Sequence, residues 1–374
     1  MPPEGAVATG EEKAMRLISL DVLRGLTVAG MILVNSAAAM KYGAEASVAP
    51  ILLHVSWDGL TLADLVFPGF LTMVGIAIPF SMRDAKLDSA QRRHILGRTG
   101  RLLLLGFILS NLYWFTSFAS GDWRLFGVLQ RIGLVYCACA LLFLLAGPRA
   151  RLIVAAAILA LYWPLALLPS LDGLATDIWA RGHNFVASVD RLLLGNHLYV
   201  KGPEGYDPEG ILGTLPAIAQ GLIGVAIGEL LIRRQGPAAR QLAVIGAAML
   251  VAGSGWSLTF PIVKDIWSSS FVLVTSGITV LALALLHHWL DREGRKPGMA
   301  ATAMLAFGAN AIAAYTLHQV TAGVVTWDLL LLPFRALREA LGDPVASLIP
   351  ILLYTLLIWG AMEWLRRKGW IIKI

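Results

Sequence analysis

The sequence predicts an all-α, polytopic helical bundle in a membrane, on three observations. Of 374 residues, 57% are hydrophobic and 14% charged, against roughly 25% charged in soluble domains. The apolar excess falls into separate runs of about 20 residues, the length at which a helix crosses a bilayer. Lys and Arg are divided unequally between alternate connections, as in multispanning proteins.

Ten spans follow from the runs, at residues 22–40, 60–82, 102–120, 125–145, 152–168, 211–232, 242–260, 268–289, 301–320 and 345–365. The first is retained as a helix, because it is too long for a signal peptide and lacks a small-residue cleavage site. After the ninth, residues 321–341 stay apolar and read as a re-entrant or interfacial piece. With the N-terminus inside, twenty of the 30 basic residues lie in cytoplasmic segments and eight on the opposite side. Both termini are therefore predicted to be cytoplasmic. Residues 1–18 form a cytoplasmic segment and 19–374 one transmembrane domain. Its periplasmic loop 169–210 is long enough to be functional or to be a lid packed on helix ends.

Composition also excludes. Cys137 and Cys139 sit together in an apolar run, so neither a disulfide framework nor a thiolate metal site is expected. The net charge of +6 is scattered over short loops, which fits membrane lipid head groups and not nucleic acid. No Gly-Lys-Ser/Thr phosphate loop, His-Glu-x-x-His pair or Gly-x-Ser-x-Gly elbow occurs, which argues against ATP-driven transport, zinc proteolysis and serine hydrolysis.

Polar groups inside the spans are costly and point to function. Asp21 and Arg24 stand at i and i+3 on the first helix, as a self-contained pair or a ligand contact. Asn35 is an amide on an otherwise apolar stretch. His54 precedes the second span and Asp64 lies a turn inside it. An imidazole, a carboxylate and the Asn35 amide meeting there could accept a proton and steady the resulting cation. Gln130 and Arg131 enter the fourth span, and Arg131 needs either a carboxylate or a ligand anion. Lys264, Asp265, Trp267 and Ser268 to Ser270 cluster between spans. Asn310 and His318, eight apart, share a face if the ninth helix is continuous. Together they describe a polar cavity in an apolar bundle, which an acyltransferase or a secondary transporter could use.

These residues carry a resemblance. The blocks Ser19-Leu-Asp-Val-Leu-Arg-Gly25, Met31-Ile-Leu-Val-Asn35, His54-Val-Ser-Trp-Asp-Gly-Leu-Thr-Leu-Ala-Asp-Leu-Val-Phe-Pro68, Gly127-Val-Leu-Gln-Arg-Ile-Gly133, Asp207-Pro-Glu-Gly210, 261–270 and Gly308-Ala-Asn310 occur in the order found in one group. The sequence resembles the transmembrane acyltransferases of the heparan-α-glucosaminide N-acetyltransferase family. The resemblance implies that acetyl-CoA binds from the cytoplasm and that its acetyl group reaches the amine of a sugar on the far side. It makes His54 the active-site residue, with Asn35, Asp64 and Arg24 in matching positions.

On that basis His54 is expected to be the general base or a transient acetyl carrier, with Asp64 orienting it and Asn35 steadying the oxyanion. Asp21, Arg24, Gln130, Arg131 and Lys264 are expected around CoA. Trp57, Trp267, Ser269, Asn310 and His318 are expected around the acyl or sugar group, with no metal. The luminal extension of the animal enzymes has no counterpart in this sequence, so an amino sugar or glycan of a bacterial cell envelope, at the inner membrane, is the expected acceptor. A homodimer, polysaccharide O-acetylation and transport of a sugar or organic anion stay open.

Overall fold

The computed structural model describes residues 17–374 apart from 84, 113–117, 234–237, 292–295, 325–326 and 373–374. The predicted segment 1–18 lies almost wholly outside the described residues, as do Lys13, Arg16, Arg234, Arg292, Arg295 and Lys373.

The described residues form helices and no strands; two isolated β-bridges join Asp58 to Val263 and Val200 to Tyr206. In chain order the helices are α1 (Ile18–Gly43), α2 (Leu62–Met82), α3 (Ser89–Ser110), α4 (Val128–Leu145), α5 (Pro148–Ala166) and α6 (Phe185–Leu194). There follow α7 (Thr214–Arg233), α8 (Ala239–Trp256), α9 (Ser269–Leu290), α10 (Met299–Ala309), α11 (Ala311–Val324), α12 (Asp328–Leu341), α13 (Asp343–Ala346) and α14 (Leu348–Arg367). Among the described residues, seven stretches are long and apolar enough to cross a membrane: α1, α2, α4, α5, α7, α9 and α13–α14. The pair α10–α11 makes an eighth if it counts as one bent span. This is an integral membrane protein of helical type.

Two expected helices are corrected. The third begins at Ser89, not 102, and ends at Ser110. Asp88 caps it by accepting from the Gln91 N–H at 2.7 Å, and its first half, rich in Arg, Gln and Leu, is made of good helix formers. It stops at Asn111, whose amide turns to the Arg124 backbone at 2.8–2.9 Å. The ninth predicted helix is broken at Asn310, where α10 and α11 bend by 76°. Asn310 spends its amide on the C-terminal segment, donating to the Trp370 carbonyl at 3.1 Å and accepting from the Ile372 N–H at 2.9 Å. The apolar stretch after α11 is the separate amphipathic helix α12. Loop 169–210 is ordered and contains α6.

Small residues set the closest packing, as expected where helices associate without a hydrophobic drive. A Cβ on Gly75 would stand 2.0 Å from the Gly221 carbonyl oxygen, and one on Gly224 would stand 2.2 Å from that of Thr72. The backbones of α2 and α7 therefore touch. The α1–α10 crossing is made the same way, with Gly25 against Met304 and Gly308 against Asp21. A buried amide ties three helices: Gln220 of α7 donates toward Thr72, Thr275 and Ser276 at 3.2–3.3 Å and accepts from Trp267 at 2.9 Å.

Candidate active site

The site lies at the end of the bundle where α2, α4, α7 and α9 begin. Residues 44–61 cross from α1 to α2 and lie along the connection between α8 and α9. Gly59 N–H donates to Ile262 at 3.0 Å, and Asp58 accepts from the Ile262 N–H at 2.9 Å. This pairing brings Lys264 to the first turn of α2.

Asp64 in that turn is 1% exposed, and each of its oxygens has work. Oδ2 accepts from the Thr61 N–H at 3.1 Å, the Thr61 hydroxyl at 2.9 Å and, more weakly, the Val55 N–H at 3.4 Å. Oδ1 meets His54 Nδ1 at 2.7 Å and stands 3.8 Å from Lys264 Nζ. With Nδ1 carrying the proton toward the carboxylate, the Nε2 lone pair faces outward on a ring whose side chain is 43% exposed. Such a dyad can take a proton and stabilise the imidazolium that results.

Among the described residues Asn35 makes no hydrogen bond to His54 or Asp64. Asn35 pairs instead with His318 of α11, Nδ2 to Nε2 at 3.1 Å. His318 is 2% exposed, and its Nδ1 has no partner among the described residues. The bend at Asn310 also removes the shared face of Asn310 and His318.

Asp21 and Arg24 form the predicted pair at 3.2 Å, and Arg24 also approaches the Gly308 carbonyl at 3.5 Å, at the opposite end of the bundle from His54. Arg131 and Lys264 are at the His54 end. Arg131 is fully buried: one nitrogen donates to the Gly210 carbonyl at 3.0 Å, the guanidinium lies 4.9 Å from the Trp267 ring centre, and Nε and Nη1 have no hydrogen-bond partner among the described residues. Gln130 beside it donates to the Leu125 carbonyl at 3.1 Å.

Trp267 adopts φ +55°, an uncommon left-handed conformation for a bulky residue, and is wedged between Phe67 and Phe271. Trp57 donates to the Ile178 carbonyl at 2.9 Å and stands edge-on to Tyr206. Ser269 donates to Leu159 of α5 at 2.7 Å. All three are buried.

Sequence reasoning passed over a charged knot beneath the loop. Arg124 grips Asp207 at 2.6 and 3.0 Å and also bonds Glu209. Burial pushes the Glu209 carboxyl up, but the Arg124, Arg131 and Lys264 charges outweigh it and hold it below the usual range. Among the described residues Asp190 accepts from the Ile211 and Asp207 N–H groups, and burial raises it to about 7, with nearby Asp207 adding to the shift. The acids were visible in the loop; Arg124, more than 80 residues away, gave no sign of joining them. Gln220 did have a signal, as an amide within an apolar run.

A family model described as heparan-alpha-glucosaminide N-acetyltransferase, catalytic, matches residues 16–263, a span containing His54 and Asp64 but not Lys264 or His318. The chain is 29% identical to the human heparan-alpha-glucosaminide N-acetyltransferase over 82% of its length and 53% of that protein's. It is 29% identical to the mouse protein of the same name over 83% and 54%. It thus spans about half the length of the curated relatives it matches. Since the family model covers most of the chain, including the imidazole–carboxylate pair, this protein belongs to the heparan-alpha-glucosaminide N-acetyltransferase catalytic family.

Proposed function

We propose that the protein is an acetyl-CoA-dependent N-acetyltransferase that acts on an amino sugar across a bacterial inner membrane. The observation that carries this reading is the His54 Nδ1–Asp64 hydrogen bond of 2.7 Å with Nε2 left outward. The topology that goes with it has ten crossings, counting α3, α8 and the bent α10–α11, with both termini cytoplasmic. The His54 end then faces the periplasm.

His54 Nε2 takes a proton from the sugar amine as its nitrogen bonds to the thioester carbonyl carbon. The carbon–sulfur bond breaks, and CoA leaves as the thiol with that proton. Asp64 holds the ring by Nδ1 throughout, and Lys264 limits the negative charge left at the carboxylate. Asn35 has one N–H toward His318 and a second to offer the oxyanion. The phosphates of CoA fall to the other end. There Arg24 and a pocket of about 140 Å³ lined by Arg83, Arg233, Glu229, Pro79, Phe143 and Ile232 supply apolar surface and a net positive charge, the Glu229 carboxylate being paired with Arg151. Gln130, Arg131 and Lys264 are better placed to support the reacting end.

Detergent-solubilised protein incubated with acetyl-CoA and glucosamine should release free thiol, and His54→Ala should lower the rate about 10²–10⁴-fold, the usual contribution of a general base, while the protein stays folded. An intact thioester with the unaltered protein would point to transport instead. Labelled acetyl-enzyme trapped without acceptor would make His54 the carrier.

A further inference from the structure

Beside the dyad is a feature that acetyl transfer to a soluble sugar does not use. An open groove of about 420 Å³ is lined by Pro50, Ile51, Leu60, Thr61, Leu62 and Leu65. Its polar lining residue, Thr61, has its hydroxyl 2.9 Å from Asp64 and 2.8 Å from the carbonyl of Leu53, the residue before His54. Through Thr61 the groove is joined to the carboxylate that holds the His54 ring. Leu62 and Leu65 belong to the first turn of a membrane-spanning helix, and Ile51 and Leu62 are 61% and 45% exposed. Apolar side chains exposed at that level continue the lipid-facing surface of α2. On the other side of His54, Ser56 and Asp58 are exposed and polar. The mouth thus has an aqueous half and an oily half, with the dyad on the seam.

We propose that the acceptor is an amino sugar carried on a long hydrocarbon chain, with the chain in this groove and the amine at His54 Nε2. The inference rests on the acetyl-transfer reading and narrows its substrate. A chain reaching from the lipid into the groove fixes the sugar at the membrane surface, which turns an encounter from bulk water into one confined to two dimensions.

The test uses full-length protein in detergent, with acetyl-CoA and three probes below their micellar concentrations: methyl, octyl and citronellyl β-glucosaminide. The longer chains should lower KM at least about tenfold against methyl, a modest share of the gain expected for burying several methylenes. The larger gain of the two identifies a saturated or an isoprenoid chain. In Leu62→Asn, and independently in Ile51→Asn on the other wall, the difference should shrink to within about threefold, with KM for the methyl probe unchanged. Equal KM values in the unaltered protein would overturn the proposal, leaving the groove to bulk lipid. A difference that survives both substitutions would reduce it to detergent partitioning, and a matching rise in KM for acetyl-CoA would give the groove to the donor. Absence of transfer to every probe would remove the underlying acetyl-transfer reading as well.

Discussion

Asp64 and Asp190 show how the same carboxyl is put to opposite uses by its neighbours. Asp64 has an imidazole, an ammonium and a ring of donors. Asp190 has two backbone N–H groups and is almost fully buried, with Asp207 close by. Its value near 7 lies above the ordinary 3.8, so between those limits the folded protein holds more of a proton than the unfolded chain. Stability from this group is then fully present below about pH 4 and is lost as pH rises toward 7. Asp190→Asn, which keeps an acceptor for the N–H groups, should flatten that decline in thermal melts of the purified protein. An unchanged pH slope would mean that Asp190 is ionised throughout. At this scale the sequence was informative about members and less so about pairs. His54 and Asp64 are ten residues apart and were expected to meet. Asn35 and His318 were each singled out, but their separation of 283 residues conceals the contact until the fold is known.

Among the elements, the seam between α2 and α7 leaves no room for a side chain. Gly224→Val would drive side-chain carbons into the Thr72 carbonyl, a backbone atom that cannot swing away. A loss of at least about 1–3 kcal/mol is expected, the range for overpacking, read as a lower melting temperature. Gly97→Ala in α3 meets nothing within 4 Å and should instead stabilise by about 0.5–1 kcal/mol through the lost freedom of glycine. Equal effects of the two substitutions would deny the seam its tightness. Helix positions were read well where hydropathy rises and falls sharply, as for α2 and α9. They were misread where a helix is polar over half its length. Arg92, Arg93, Arg98 and Arg101 look like a loop on a hydropathy scale, yet arginine is a good helix former. The bend at Asn310 had a faint signal in the small residues before it, and its cause, the tail that Asn310 holds, is distant in sequence.

For the whole molecule, the proposed ten crossings put seven of them, α2 to α5 and α7 to α9, between Ser56 and Lys296 and so set the two residues on opposite faces of the membrane; both are exposed. In a background with Cys137 and Cys139 replaced by serine, Ser56→Cys should react with an impermeant maleimide in right-side-out vesicles and Lys296→Cys in inverted ones. Labelling of both from one side would break the ten-crossing arrangement and with it the division of labour between donor and acceptor ends.

The glycine contacts of α2 with α7 have a further consequence for how a thioester arm could travel the depth of the bilayer. Two main chains in touch make a wall on that flank. The flank toward α1 and α9 is packed by side chains instead: a Cβ on Gly69 would meet Thr279 at 3.4 Å and Thr27 at 4.0 Å, and one on Gly30 would meet Val66 at 3.5 Å, ordinary van der Waals contact. An acyl arm therefore cannot pass between α2 and α7, where it would have to part backbones, whereas on the α1 and α9 flank it would have only side chains to displace.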